Sequence, residues 1–313
     1  MKQIHLNLLL VAVAAGLFWL LVLDENKEEA KIAKAIERQP PLTTLDANAI
    51  RRIRLKNSAS PDIVLEKSDY GWQMREPVAV AADLVQIGNL TALATLETRG
   101  SIDTKVAKRP DLGLDPARST VLLDDIELGI GEIEPLKRTR YIELSPGSVN
   151  NRISLVDDFA PEVFDGEYTD LINKALLPFD AQIARIEVPG LVLARDTAGT
   201  GWTATPASAL ATPDAMDQLA NAWRDVRALA TVPPLTSASP TSKADVAVTL
   251  ADGSRIGYKL IDKADSRFLQ RLDVPVSYQF VPAEVARLLS LMPPPPAEEA
   301  EPEAEAAPEA AAP

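Results

Sequence analysis

The sequence predicts an α+β protein: two tandem copies of a largely antiparallel sheet with one main helix each, behind an N-terminal transmembrane helix. Three observations carry that expectation. Residues 4–23, "IHLNLLLVAVAAGLFWLLVL", hold no Lys, Arg, Asp or Glu. Downstream, short stretches alternate apolar and polar residues with period two, which marks half-buried strands. Five pieces of that downstream sequence then recur in the same order, offset by about 120 to 133 residues, as tandem copies of one unit would be.

Residues 1–3 form a short stub before the apolar run, read as cytoplasmic. Twenty helical residues span a hydrocarbon core roughly 30 Å thick, and Trp19 stands where an interfacial ring would. The rival is a cleaved signal peptide, but its apolar region is shorter and ends at a small-x-small site, whereas this run ends "FWLLVLDENKEE". We therefore read 4–23 as an uncleaved signal anchor. Lys27, Lys31, Lys34 and Arg38 lie beyond it, interleaved with acids, so charge bias leaves the orientation open; the reading adopted exports the body. Residues 24–42 hold helix formers with Glu-to-Lys pairs, then "QPP", and read as a juxtamembrane helix and linker.

Residues 43–172 make the first repeat. "AIRRIRLKN" alternates, and "DIVLEKS" and "GWQMRE" flank "DYG" as a hairpin. "AADLVQIGNLTALATLET" sets Leu84, Ile87, Leu90, Leu93 and Leu96 on a helical stripe, with Asp83 at its start. A Gly/Pro-rich loop precedes the strands "STVLLDD", "IELGIGE", "TRYIELS" and "RISLVD", and "FAPEVFD" closes as a helical turn. Residues 173–291 repeat the plan, with "LVLARDTAGTGWTATP" answering "IVLEKSDYGWQMREP" and "TPDAMDQLANAWRDVRALAT" answering the first helix. The prolines of "VPPLTSASPTSK" read as a loop. Residues 292–313 are Pro, Ala and Glu-rich and lack the apolar side chains needed to order themselves.

The repeated signature is Gly71, Trp72 and Pro77 against Gly201, Trp202 and Pro206. Each glycine is expected in the hairpin turn at positive φ, and each Trp at the start of the return strand as a core anchor on the following helix.

Composition removes several chemistries. There is no Cys, which excludes disulfides, thiolate metal sites and cysteine nucleophiles. The only His is His5, inside the apolar run, so the body has no imidazole base or ligand. A net charge of −13, with six Glu in the tail and no basic stripe, argues against nucleic acid as partner. Paired acids remain: Asp124 with Asp125, Asp157 with Asp158, and Glu132 with Glu134. Two carboxylates can hydrolyse a glycosidic bond or hold Ca²⁺, but Asp-Asp at a strand end reads as a solvated turn. Gly129 and Gly131 in "GIG" precede more strand, not a helix N-terminus, and read as hairpin or bulge glycines. Lys137, Arg138, Arg140 and Tyr141 cluster in "LKRTRYIEL", either as a partner contact or as a charged edge strand that resists sheet-to-sheet association. Lys263, Arg267 and Arg271 form a similar cluster in the second repeat.

The segments "VLEKSDYGWQMREPVAVAAD", "LGLDPAR…VLLDD", "LGIGEIEP…RYIEL", "SLVDDFAPEVF" and "LLPFD…IARIEV" behind an apolar N-terminus resemble the bacterial domain-of-unknown-function family numbered 4340. The resemblance implies a bacterial inner-membrane protein, single-pass, with its body in the periplasm and an accessory role beside an ABC-type permease. It carries over no catalytic, metal or cofactor residue. The expectation is therefore a non-catalytic accessory or scaffold protein of an inner-membrane complex, with no cofactor. Two alternatives stand beside it: a binding module holding a lipid, glycan or peptide between the repeats, and a carboxylate-based envelope hydrolase.

Overall fold

The computed structural model describes residues 41–104, 107–135, 138–144, 152–158, 161–237 and 241–291. The expected stub, anchor, most of the juxtamembrane helix, the acidic tail and Lys137 lie outside those residues. The chain divides into two compact units between Ile172 and Asn173.

The first unit contains strands β1 (Arg52–Asn57), β2 (Ile63–Ser68), β3 (Gly71–Glu76), β4 (Val80–Ala81), β5 (Thr98–Asp103), β6 (Ser119–Leu123), β7 (Ile126–Glu134), β8 (Thr139–Leu144) and β9 (Arg152–Asp157). They form one sheet in the order β4-β3-β2-β1-β6-β7-β8-β9-β5, and every pairing is antiparallel. Alternation decides the faces: in β1, Ile53 and Leu55 are buried while Arg52, Arg54 and Lys56 are exposed. Helix α1 (Leu84–Ala92) covers the apolar face with Ile87 and Leu90. Its first turn is capped by Asp83, whose Oδ1 accepts from the backbone N–H of Val85 at 2.9 Å. A short helix α2 (Pro161–Asp165) adds Val163 and Phe164 to the core.

The expected helix was too long. It gives way to a 3-10 turn at Leu93–Thr95, and Thr98–Asp103 becomes β5, which pairs with β9 from Thr98↔Val156 to Asp103↔Arg152. A free sheet edge at β9 offers backbone hydrogen bonds that local helical propensity cannot match. The same pairing corrects the reading of "TRYIELS" as an edge strand. Strand β8 lies between β7 and β9, and β5 takes the edge.

The second unit contains β10 (Ile183–Val188), β11 (Leu191–Arg195), β12 (Trp202–Thr205), helix α3 (Pro213–Asp225), β13 (Ala230–Val232), β14 (Val246–Leu250), β15 (Arg255–Lys263), β16 (Ser266–Arg271), β17 (Ser277–Phe280) and helix α4 (Pro282–Leu289). Its sheet order, β12-β11-β10-β14-β15-β16-β17-β13, matches that of the first unit without a counterpart to β4. Strand β13 was not expected, since the helical reading of "TPDAMDQLANAWRDVRALAT" ran on to Thr231, whereas the helix ends at Asp225. Helix α3 buries Ala215, Met216, Leu219, Ala220 and Trp223, and its N-cap Thr212 accepts from the Ala215 N–H at 3.2 Å.

Each unit also ties a crossing loop to the face of the sheet opposite its helices. In the first, Arg109 reaches the buried Glu143 of β8 at 2.9 Å. Gly131 lets the loop approach, because a Cβ there would stand 2.4 Å from the Leu112 carbonyl oxygen. In the second, the buried Gln270 of β16 accepts from the backbone N–H groups of Leu235 and Thr236, both at 2.9 Å, and donates to the Thr236 carbonyl at 2.9 Å. The two residues hold matching places: Glu143 faces Gly129 and Ile153, and Gln270 faces Lys259 and Ser277.

Candidate functional site

A groove of about 660 Å³ runs along α3 and α4 in the second unit. The sequence builds it in steps. Pro213 at the first helical position starts α3, and Met216, Leu219 and Trp223 recur at helical spacing to seat it on the sheet. Pro282 starts α4 in the same way. The Trp223 indole N–H then donates to the Leu288 carbonyl oxygen at 2.8 Å, which fixes the two helices together. The Tyr258 ring lies 5.8 Å from Trp223, and its hydroxyl donates to the Leu176 carbonyl at 2.6 Å. Burial pushes that phenol up, so it stays a neutral donor.

Leu219, Ala222 and Leu288 give the groove an apolar lining, with Gln218, Asn221, Asp225, Arg227, Glu284, Arg287 and Ser290 as its polar members. Arg287 pairs with Glu284 at 3.1 Å, and Leu229 is 59% exposed beside it. The lining mixes apolar ground with balanced charge.

The paired acids are turned to other work. Asp124 sits at positive φ (49°) in the β6–β7 turn, where its Oδ1 accepts from the N–H groups of Arg51 and Arg52 at 3.1 and 2.8 Å. Asp157 pairs with Arg99 at 2.7 Å, Asp158 with Arg140 at 2.7 Å, and Glu132 with Arg118 at 3.1 Å. The hydrogen bond from Arg99 holds the Asp157 carboxyl below the usual carboxylate range, with the guanidinium charge adding to it. Asp124 lies in the β6–β7 turn and Glu132 at the β7 bulge, and each is held by its own partners. Among the described residues no group of three or more His, Cys, Asp or Glu is placed to hold a metal ion.

The basic cluster is not a single surface. Arg138 is exposed at positive φ (53°) in the turn before β8. Arg140 is buried: its Nε donates to Asp158 at 2.7 Å, its Nη1 to the Gly131 carbonyl at 3.2 Å, and its guanidinium lies 5.7 Å from the Phe164 ring centre. It therefore cannot be a partner contact; it braces the β7 bulge against α2. Tyr141 is half-buried on β8. In the second unit Arg267 pairs with Asp262 at 2.8 Å, and Lys263 lies 5.7 Å from the Phe268 ring.

The Gly-Trp signature divides too. Gly71 takes φ 98° in the β2–β3 turn, as expected. Gly201 does not have positive φ; Gly199 takes that role at 73°. The longer second turn is built by Asp196, whose carboxylate accepts from the Thr200 and Gly201 N–H groups at 3.1 and 3.0 Å. A Cβ at Gly201 would meet that carboxylate at 2.8 Å. Trp72 and Trp202 are both buried. The Trp202 indole donates to Asp217 of α3 at 3.0 Å beneath the Arg195 guanidinium, 4.0 Å from the ring centre. Pro77 and Pro206 follow cis peptide bonds in both units.

Sequence reasoning passed over Trp223, Glu143 and Gln270. The signal for Trp223 was its place on the Met216–Leu219 stripe. The signal for the other two was a polar side chain at one matching place in each repeat, directly after the buried Ile142 and Leu269.

These features define a two-unit antiparallel α+β protein with helices on one sheet face and a tethered loop on the other. The family model described as Domain of unknown function (DUF4340) matches residues 72–247, from β3 of the first unit into β14 of the second, and the chain belongs to that family. No curated protein and no solved structure matches the chain.

Proposed function

We propose that this protein is a non-catalytic accessory or scaffold protein, anchored by residues 4–23 in the bacterial inner membrane with its body in the periplasm. There it serves a membrane transport complex of the ABC type. The observation that carries the reading is how the polar side chains are used. The acids with the right chemistry for hydrolysis brace turns and arginines, while the α3–α4 groove presents a mixed lining suited to contact. The apolar run at 4–23 supplies the membrane reading, and two units of one strand order supply a repeated platform. Crosslinking in intact cells followed by identification of co-purifying proteins tests the proposal. Recovery of an integral-membrane permease supports it; recovery of the protein alone overturns it.

The groove also favours a second reading, a binding module for a lipid, glycan or peptide held within the second unit. Leu229→Glu places a charge at the groove wall. Under this reading, it abolishes retention of extracted envelope lipid or glycan and leaves the permease crosslink intact.

A further inference from the structure

We draw no further inference here: the strongest candidate, the outer face of α1, which carries no charged residue and leaves Leu84 and Val85 exposed beside Gly88, has nothing in the structure to show what covers it.

Discussion

Replacing Arg140 by methionine keeps the unbranched stem of the side chain and removes the guanidinium with its charge. The guanidinium is 3% exposed and its partner Asp158 is 11% exposed, so the loss leaves a carboxylate nearly buried without its cation. The Gly131 carbonyl at the β7 bulge also loses its donor. Breaking one side of a buried pair costs about 3–5 kcal/mol, and water reaching Asp158 brings the expectation to the lower end, about 3 kcal/mol. Arg267 provides an internal control. It faces Phe280 across β16–β17 as Arg140 faces Val156 across β8–β9, yet its pair with Asp262 is 35% and 64% exposed. Arg267→Met should cost less than about 1 kcal/mol. Native-state hydrogen exchange at the β8 and β16 amides of the full chain reads both losses. Arg140→Met with Asp158→Leu should recover most of the loss, because an apolar pair can replace a buried ionic one. Equal costs at Arg140 and Arg267, or a double variant no better than the single, would refute the reasoning.

Three further outcomes follow from the geometry. Gly131→Ala drives a methyl into the Leu112 carbonyl and should destabilise by about 1–3 kcal/mol, whereas Gly88→Ala, with nothing within 4 Å, should stabilise by about 0.4–1 kcal/mol; urea titrations of the two variants should move in opposite directions. Trp223→Phe removes the donor to Leu288 and should cost at least about 1–3 kcal/mol for the orphaned carbonyl, with faster amide exchange in α4 and no change in α1. Burial pushes the Asp273 carboxyl up, but the hydrogen bond and charge of Arg271 outweigh it and hold it below its ordinary value. Its contribution is therefore complete above the unfolded value of about 3.9 and lost as pH falls below it. Because Asp273 is 47% exposed, Asp273→Asn should cost no more than about 1 kcal/mol at pH 7, and the difference from the parent should vanish towards pH 2; a gap that persists there contradicts the assignment.

Much of the fold was open to a reader of the chain, because strands and helices write their periods locally. "AIRRIRLKN" can bury Ile53 and Leu55 together only as a strand. Asp83 and Thr212 stand where helix caps stand, and the matching of "DYGW" with "GTGW" located the second unit. What could not be read was the partner of each segment. The helical stripe reads on to Thr98, and nothing local marks Thr98–Asp103 as a strand until β9 offers it an edge. The positive φ in the second hairpin belongs to Gly199, because Asp196 gathers the turn around its carboxylate.

The sequence by itself determined most of the elements, their repetition and the chemistries excluded from the body, since these depend on residue type and spacing along the chain. Only the tertiary structure decided that Arg140 is buried, that β8 is interior, that Glu143 and Gln270 hold loops in matching places, and that Trp223 joins α3 to α4. Those properties depend on which distant segments share a face, and burial and hydrogen-bond partners are set by that meeting.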